Sequence, residues 1–145
     1  MKRCFIIVLL LLCSVNIVLA EKVMVKVTPA QTITTAKKNS LSEGDYVDFK
    51  TTETTKAFKQ GEIITGVVTS LEDNGFAVQE ARAVIEHFRS KDKFLEGEIY
   101  LRGGQHKKLG EFVEHSLPEC SIWLRGSEII VKPGEQEFIL YAEVD

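Results

Sequence analysis

The chain has 145 residues, with 18 basic and 21 acidic side chains, a formal net charge of −3 at pH 7 and three cysteines. This length fits a single domain with its own hydrophobic core. The acidic balance argues against nucleic-acid binding, because that function neutralises phosphates with clustered lysine and arginine.

The N-terminus has the features of a signal peptide. A Lys-Arg start precedes the apolar run from Cys4 to Ala20, which ends in the small or aliphatic residues that signal peptidase accepts. We therefore predict cleavage after Ala20 and export of residues 21–145 to the periplasm or out of the cell. The alternative is a membrane anchor formed by residues 4–20, a run at the short end of what a membrane helix needs. Membrane contact is expected only through such an uncleaved leader.

Cysteine usage bears on how the exported part is held together. Cys4 and Cys13 lie in the predicted leader, so Cys120 stands alone after cleavage. A single cysteine cannot form an internal disulfide, and burial and hydrogen bonding must then hold the fold. Free cysteines are among the most buried residue types, so we expect Cys120 to be buried and inert.

The first predicted strands show the alternation of half-buried β structure. Residues 22–27 read Lys-Val-Met-Val-Lys-Val, so that three valines share one face before Pro29 ends the strand. A turn at Gly44 leads to a second alternating run, with Val47 and Phe49 on its inward face.

The next segment can be interpreted in two ways. Residues 61–72 are rich in β-branched residues and apolar on both faces, which indicates a central strand or one that bends at Gly66. Asn74-Gly75 follows and predicts a hairpin, because type I′ turns need positive φ at both central positions. Residues 77–88 also carry an apolar stripe at helical spacing. We predict the hairpin and a strand, with a helix near 77–88 as the alternative.

The remaining segments continue the β pattern. A strand is predicted from about Leu95 to Leu101, stopped by Gly103-Gly104, and the polar segment 105–120 follows as a long loop. The stretches "SIWL", "EIIVK" and "EFILYAEV" then predict strands, the last two joined by a turn at Pro133-Gly134.

About seven or eight short strands separated by turns are typical of a small β-barrel or β-sandwich. The predicted fold class is therefore all-β, in one exported domain over residues 21–145. A helix near 77–88 would make the domain α+β instead.

Two stretches carry a resemblance to known proteins. The order of Gly-Asp, strand, loop, Lys-x-Gly, strand and Asn-Gly over residues 36–76 resembles uncharacterised small exported bacterial β-domain proteins, and so do "LEGEIYLRGG" and "WLRGSEIIVKPGEQEFILYAE". More distantly, the middle of the chain is similar to the periplasmic β-barrel domain of conjugation and type IV secretion channels, which has a Lys/Gln-Gly-x-x-(Ile/Leu)-x-Gly strand. The resemblance implies an envelope-located β module. The resemblance identifies no catalytic residue in this chain, because the matching positions are glycines and aliphatic residues.

The polar segment holds the candidates for enzyme chemistry. His106, His115 and Cys120 could supply nitrogen and sulfur ligands to zinc. Their spacing fits no compact metal signature, so we predict no metal and no cofactor. A Cys120–His115 nucleophile pair is the sharpest enzyme hypothesis, that of a small hydrolase or metal-dependent enzyme. Packing at the start of an apolar strand explains Cys120 better, and we predict no catalytic residue.

One locally basic stretch, "RGGQHKK", stands out on the acidic chain. Its two glycines could let backbone N–H groups point at an anion, although turn glycines are also common for geometric reasons alone. The candidate contacts for an anion or an acidic partner are Arg102, His106, Lys107, Lys108 and Arg125.

Together these patterns predict a non-catalytic envelope or secreted module. Its expected partner is an envelope protein or a glycan, bound through a sheet edge or the segment 102–118. The alternatives are the enzyme centred on His115 and Cys120, and a subunit of a larger envelope channel.

Overall fold

The computed structural model describes residues 20–36, 40–75, 79–104 and 126–144. These residues form nine strands and no helix, which confirms the predicted all-β class. The strands are β1 (Glu21–Pro29), β2 (Ile33–Thr34), β3 (Tyr46–Thr51), β4 (Ile63–Glu72), β5 (Arg82–Ser90), β6 (Lys93–Glu96), β7 (Ile99–Arg102), β8 (Ile130–Val131) and β9 (Phe138–Val144). Within these four ranges, no helix has the length and apolar character that crossing a membrane would require.

Six of the strands close into a barrel. Their order is β4-β3-β1-β9-β6-β5, every neighbouring pair is antiparallel, and pairing of β4 with β5 closes the ring. β7 is an extra strand that pairs with β5 beside β6, while β2 and β8 form a separate two-stranded sheet. Closure pairs both edges of each barrel strand, which is how small β proteins avoid exposed sheet edges.

Alternation along the strands fills the barrel interior. Side chains of β1 and β9 alternate as the sequence predicted, and Phe49 of β3 packs edge-on against Phe88 and Phe138 with ring centroids 5.8 and 6.2 Å away. Eleven inward residues of the barrel strands are at most 1% exposed: Val25, Val27, Val47, Phe49, Ile64, Val68, Ala83, Ile85, Phe88, Leu140 and Ala142.

A β-bulge interrupts the pairing of β4 with β5. Thr65 lies opposite Arg89 and Val67 opposite Glu86, so Gly66 alone faces two residues of β5. A Cβ at Gly66 would lie 2.5 Å from the ring of Phe88, a contact that real side chains do not make. The absence of a side chain therefore lets the Phe88 ring pass over β4, at the position where the sequence predicted a bend.

The connection from β4 to β5 corrects the predicted turn. The two strands do pair as a hairpin, and the alternative helix near 77–88 is wrong because residues 82–88 belong to β5. The type I′ turn at Asn74-Gly75 is also wrong, since Glu72 pairs with Arg82 and the connection runs from 73 to 81. Asn74 is buried, and its side-chain amide donates a hydrogen bond to the carbonyl of Gly126 at 2.9 Å. A contact with a distant segment thus replaces the local turn.

Gly97 divides the strand that was predicted from Leu95 to Leu101. Its φ is 146°, and a Cβ there would lie 2.7 Å from Leu140 Cδ2. The chain leaves β9 at this point, so that β6 pairs with both β5 and β9 whereas β7 pairs with β5 alone. The turn at Pro133-Gly134 is confirmed, with a φ of 78° at the glycine. Segment 105–120 and "SIWL" lie outside the described residues.

Residues 126–129 pack across the start of β5 and the end of β7. The amide of Ala81 donates to the carbonyl of Ser127 at 3.0 Å, and the amide of Gly103 donates to the carbonyl of Ala81 at 2.9 Å. Ile129 is fully buried and exchanges hydrogen bonds with Thr35. This short segment therefore ties the two-stranded sheet to the barrel.

Candidate functional site

The structure describes one of the five predicted anion contacts. Arg102 lies at the end of β7, where its Nε and Nη2 donate to one carboxylate oxygen of Glu80 at 3.1 and 2.7 Å. This hydrogen bond raises the pKa of Arg102. An external anion would have to compete with Glu80 for the guanidinium.

The other candidates lie outside the described residues. These are the anion contacts His106, Lys107, Lys108 and Arg125, together with the enzyme candidates His115 and Cys120. Nothing in the described ranges groups three or more histidine, cysteine or carboxylate side chains in a way that could hold a metal ion.

A different site is present on the outer wall of the barrel. A groove of about 420 Å³ crosses β3, β4, β5 and β6, and this volume falls within the range of small-molecule sites. We call it the bulge groove. Its floor includes the buried Phe88 and Leu95, and the other lining residues are Tyr46, Thr65, Val67, His87, Arg89 and Phe94.

Strand register explains why these residues meet. Arg89 pairs with Thr65 on one side and with Phe94 on the other, and Tyr46 pairs with Val67 one step along the barrel. Tyr46 on β3 and Phe94 on β6 lie three strands apart in the barrel order, with β4 and β5 between them. The two aromatic side chains therefore stand at opposite ends of the groove.

Both aromatic side chains are unusually exposed. Tyr46 is 72% and Phe94 75% exposed, whereas the other large exposed apolar residues in the described ranges are at most 50% exposed. Rings held in water at the walls of a groove offer rigid contact area to a ligand, which is why aromatic residues are enriched at binding surfaces.

The bulge turns His87 into the same groove. Ile85 and Phe88 point inward, so the extra residue leaves both Glu86 and His87 on the outside of β5. His87 has a φ of 56°, in the left-handed region that costs a non-glycine residue about 1–2 kcal/mol. Bulges commonly re-aim a side chain beside a functional site.

Charges around the bulge groove are unequally paired. Asp48 accepts a hydrogen bond from Thr65 at 2.6 Å, and Glu86 accepts one from Thr69 at 2.7 Å. Arg89 forms no ion pair with any residue in the described part of the chain, and its side chain is exposed. The guanidinium accordingly has donors to offer to a ligand.

Local sequence reasoning missed the bulge groove. Its residues come from four strands and follow no motif, and His87 stood out only as one of three histidines. One signal was available, since two successive polar residues, Glu86-His87, separate the apolar Ile85 and Phe88, a spacing that only a bulge lets a strand place on one face.

Comparison with protein-family models, curated proteins and solved structures finds no match to this chain.

Replacing His87 with glycine should stabilise the protein by about 1 kcal/mol, because glycine adopts positive φ without steric cost. Urea unfolding measures this change. Lys91→Gly is the control, since Lys91 also has a positive φ, 52°, but does not line the bulge groove. Both variants should gain stability. Loss of stability in His87→Gly would show that the bulge is not strained.

Proposed function

We propose that the chain is an exported, non-catalytic binding module of the cell envelope or of the secreted fraction, and that the bulge groove is its binding surface. The proposal rests on one structural observation. A single groove combines two highly exposed aromatic walls, Tyr46 and Phe94, with Arg89 and a histidine that the bulge holds in a strained conformation. We would not expect this combination of residues on a barrel surface that contacts only solvent.

The composition of the groove favours binding over catalysis. Its walls are aromatic rings, which provide contact area and orientation, and within the described residues no nucleophile is hydrogen-bonded to its one histidine, His87. The aliphatic hydroxyl of Thr65 is engaged with Asp48 and contributes to the order of the floor. Interfaces of this kind concentrate their affinity in a few rigid anchors, and Tyr46 and Phe94 are the best placed to serve as such anchors.

Export is supported by the leader and by the position of the first strand. The apolar run ends at Ala20, and β1 begins with the next residue, Glu21. Cleavage after Ala20 would therefore release the barrel with its first strand whole.

Binding to host envelopes tests the proposal. The double substitution Tyr46→Ala and Phe94→Ala should weaken co-sedimentation with isolated envelopes at least tenfold, which corresponds to about 1.4 kcal/mol. Tyr100→Ala is the matched control, because Tyr100 is an aromatic residue on β7, 49% exposed and outside the groove. Equal binding by the double variant and the wild-type protein would contradict the proposal.

A further inference from the structure

We infer that the ligand of the bulge groove is a carboxylated oligosaccharide, with its carboxylate on Arg89 and its sugar rings against Tyr46 and Phe94. This inference rests on the proposed function and adds the chemical class of the ligand.

The backbone around the groove excludes one common mode of recognition. A peptide that binds by adding a strand needs an open sheet edge with free N–H and C=O groups. The middle of the groove instead lies on β4 and β5, where Thr65 pairs with both Asp48 and Arg89, and Arg89 pairs with both Thr65 and Phe94. A strand cannot be added there, so contacts in the middle of the groove come from side chains, which favours a ligand made of rings and charges.

The aromatic walls fit sugar rings. A sugar ring exposes C–H groups on its faces and hydroxyl groups at its rim, and the negative face of an aromatic ring is complementary to the C–H groups. Tyr46 and Phe94 stand on strands that are three apart in the barrel order and line the groove at its two ends, so that each takes a separate ring. The ligand therefore contains more than one sugar unit.

Arg89 gives the preference for a carboxylate. It pairs with Thr65 and Phe94 in the strand register, between the two aromatic walls, and no carboxylate in the described residues neutralises it. The planar guanidinium can donate two parallel hydrogen bonds to one carboxylate. The exposed imidazole of His87 lines the same groove and can donate another.

The net charge restricts how acidic the ligand can be. Cleavage after Ala20 would remove Lys2 and Arg3 from a chain of formal charge −3, and the exported part of charge −5 repels extended polyanions such as heavily sulfated polymers. Screening limits this repulsion to about 8 Å at physiological ionic strength, so an isolated carboxylate that reaches Arg89 is not prevented from binding. Sparsely charged sugars fit this balance best.

Calorimetric titration of the protein purified from cells expressing the full chain tests the inference. The probes are two sparsely charged oligosaccharides, one with a single glucuronate and one with a single terminal sialic acid, which distinguish the possible sources of the carboxylate. Each is paired with its neutral methyl ester of the same length. We expect at least one acid to bind, its ester to bind at least tenfold more weakly, and Arg89→Gln to abolish the difference between them. Arg82→Gln is the control, since Arg82 is an exposed arginine of β5 that lies beside Glu72 and outside the groove.

The outcomes separate the two proposals. Esters that bind as tightly as the acids would overturn the role of Arg89 and leave the groove as a binding site for neutral glycans. If no oligosaccharide binds while envelope binding still depends on Tyr46 and Phe94, the carboxylated-sugar inference is wrong and the proposed function stands. Envelope binding that does not depend on these two residues would overturn both.

Discussion

Phe88→Ala should destabilise the protein by about 4 kcal/mol, near the middle of the range for removing a buried aromatic ring. Phe88 is 1% exposed, packs edge-on against Phe49, and passes over β4 at the position where Gly66 lacks a side chain. Its removal would leave a cavity at the point where β4, β5 and the bulge meet. Because these strands are part of the closed ring, the barrel has little freedom to collapse around that cavity.

Urea unfolding measures the effect, with an unchanged slope showing that the extent of unfolding is the same in both proteins. Phe94→Ala is the control, because it removes the same ring from a side chain that is largely in water. It should change stability by no more than about 0.5 kcal/mol, while weakening ligand binding. A loss below about 1 kcal/mol for Phe88→Ala would show that the ring is not part of a close-packed core.

Gly103→Ala should cost about 3 kcal/mol, from steric overlap together with a lost hydrogen bond. A Cβ at this position would lie 2.1 Å from the carbonyl oxygen of Ser127. That oxygen accepts the hydrogen bond from the amide of Ala81, so moving it away also breaks the link between residues 126–129 and the barrel. Backbone atoms on both sides of the contact leave little room for adjustment.

The neighbouring Gly104 provides a control for this substitution. A Cβ at Gly104 would meet no atom of the described residues within 4 Å, so Gly104→Ala should leave stability within about 0.5 kcal/mol of the wild-type value. Thermal unfolding of the two variants side by side measures the difference. Similar losses for both would mean that Gly103 does not approach Ser127 as closely as the structure shows.

Local patterns predicted the parts of the fold that local forces determine. The alternation of β1 and β9 reports directly which side chains face the core, because successive residues of a strand point to opposite sides. The conformation of the connection between β4 and β5 was predicted wrongly, because it depends on a contact between residues far apart in the sequence. Asn74 donates to Gly126, which is 52 residues away, and no turn rule contains that partner.

The candidate site was harder to predict than the fold. Basic residues near glycines drew attention to Arg102, whose guanidinium the structure pairs with Glu80. The bulge groove depends instead on register, since Tyr46, Arg89 and Phe94 become neighbours only after three strand pairings are fixed. A one-residue bulge decides that His87 points outward, and its position follows from the contact between Gly66 and Phe88.

Chemical-shift mapping of the isotope-labelled protein, titrated with the envelope fraction that it binds, tests most directly whether the bulge groove is the binding surface. We predict that the largest shifts fall on Tyr46, Thr65, His87, Arg89 and Phe94, with little change at Tyr100 on β7. Shifts concentrated at Arg102 and in the segment 105–125, with the groove unchanged, would contradict it.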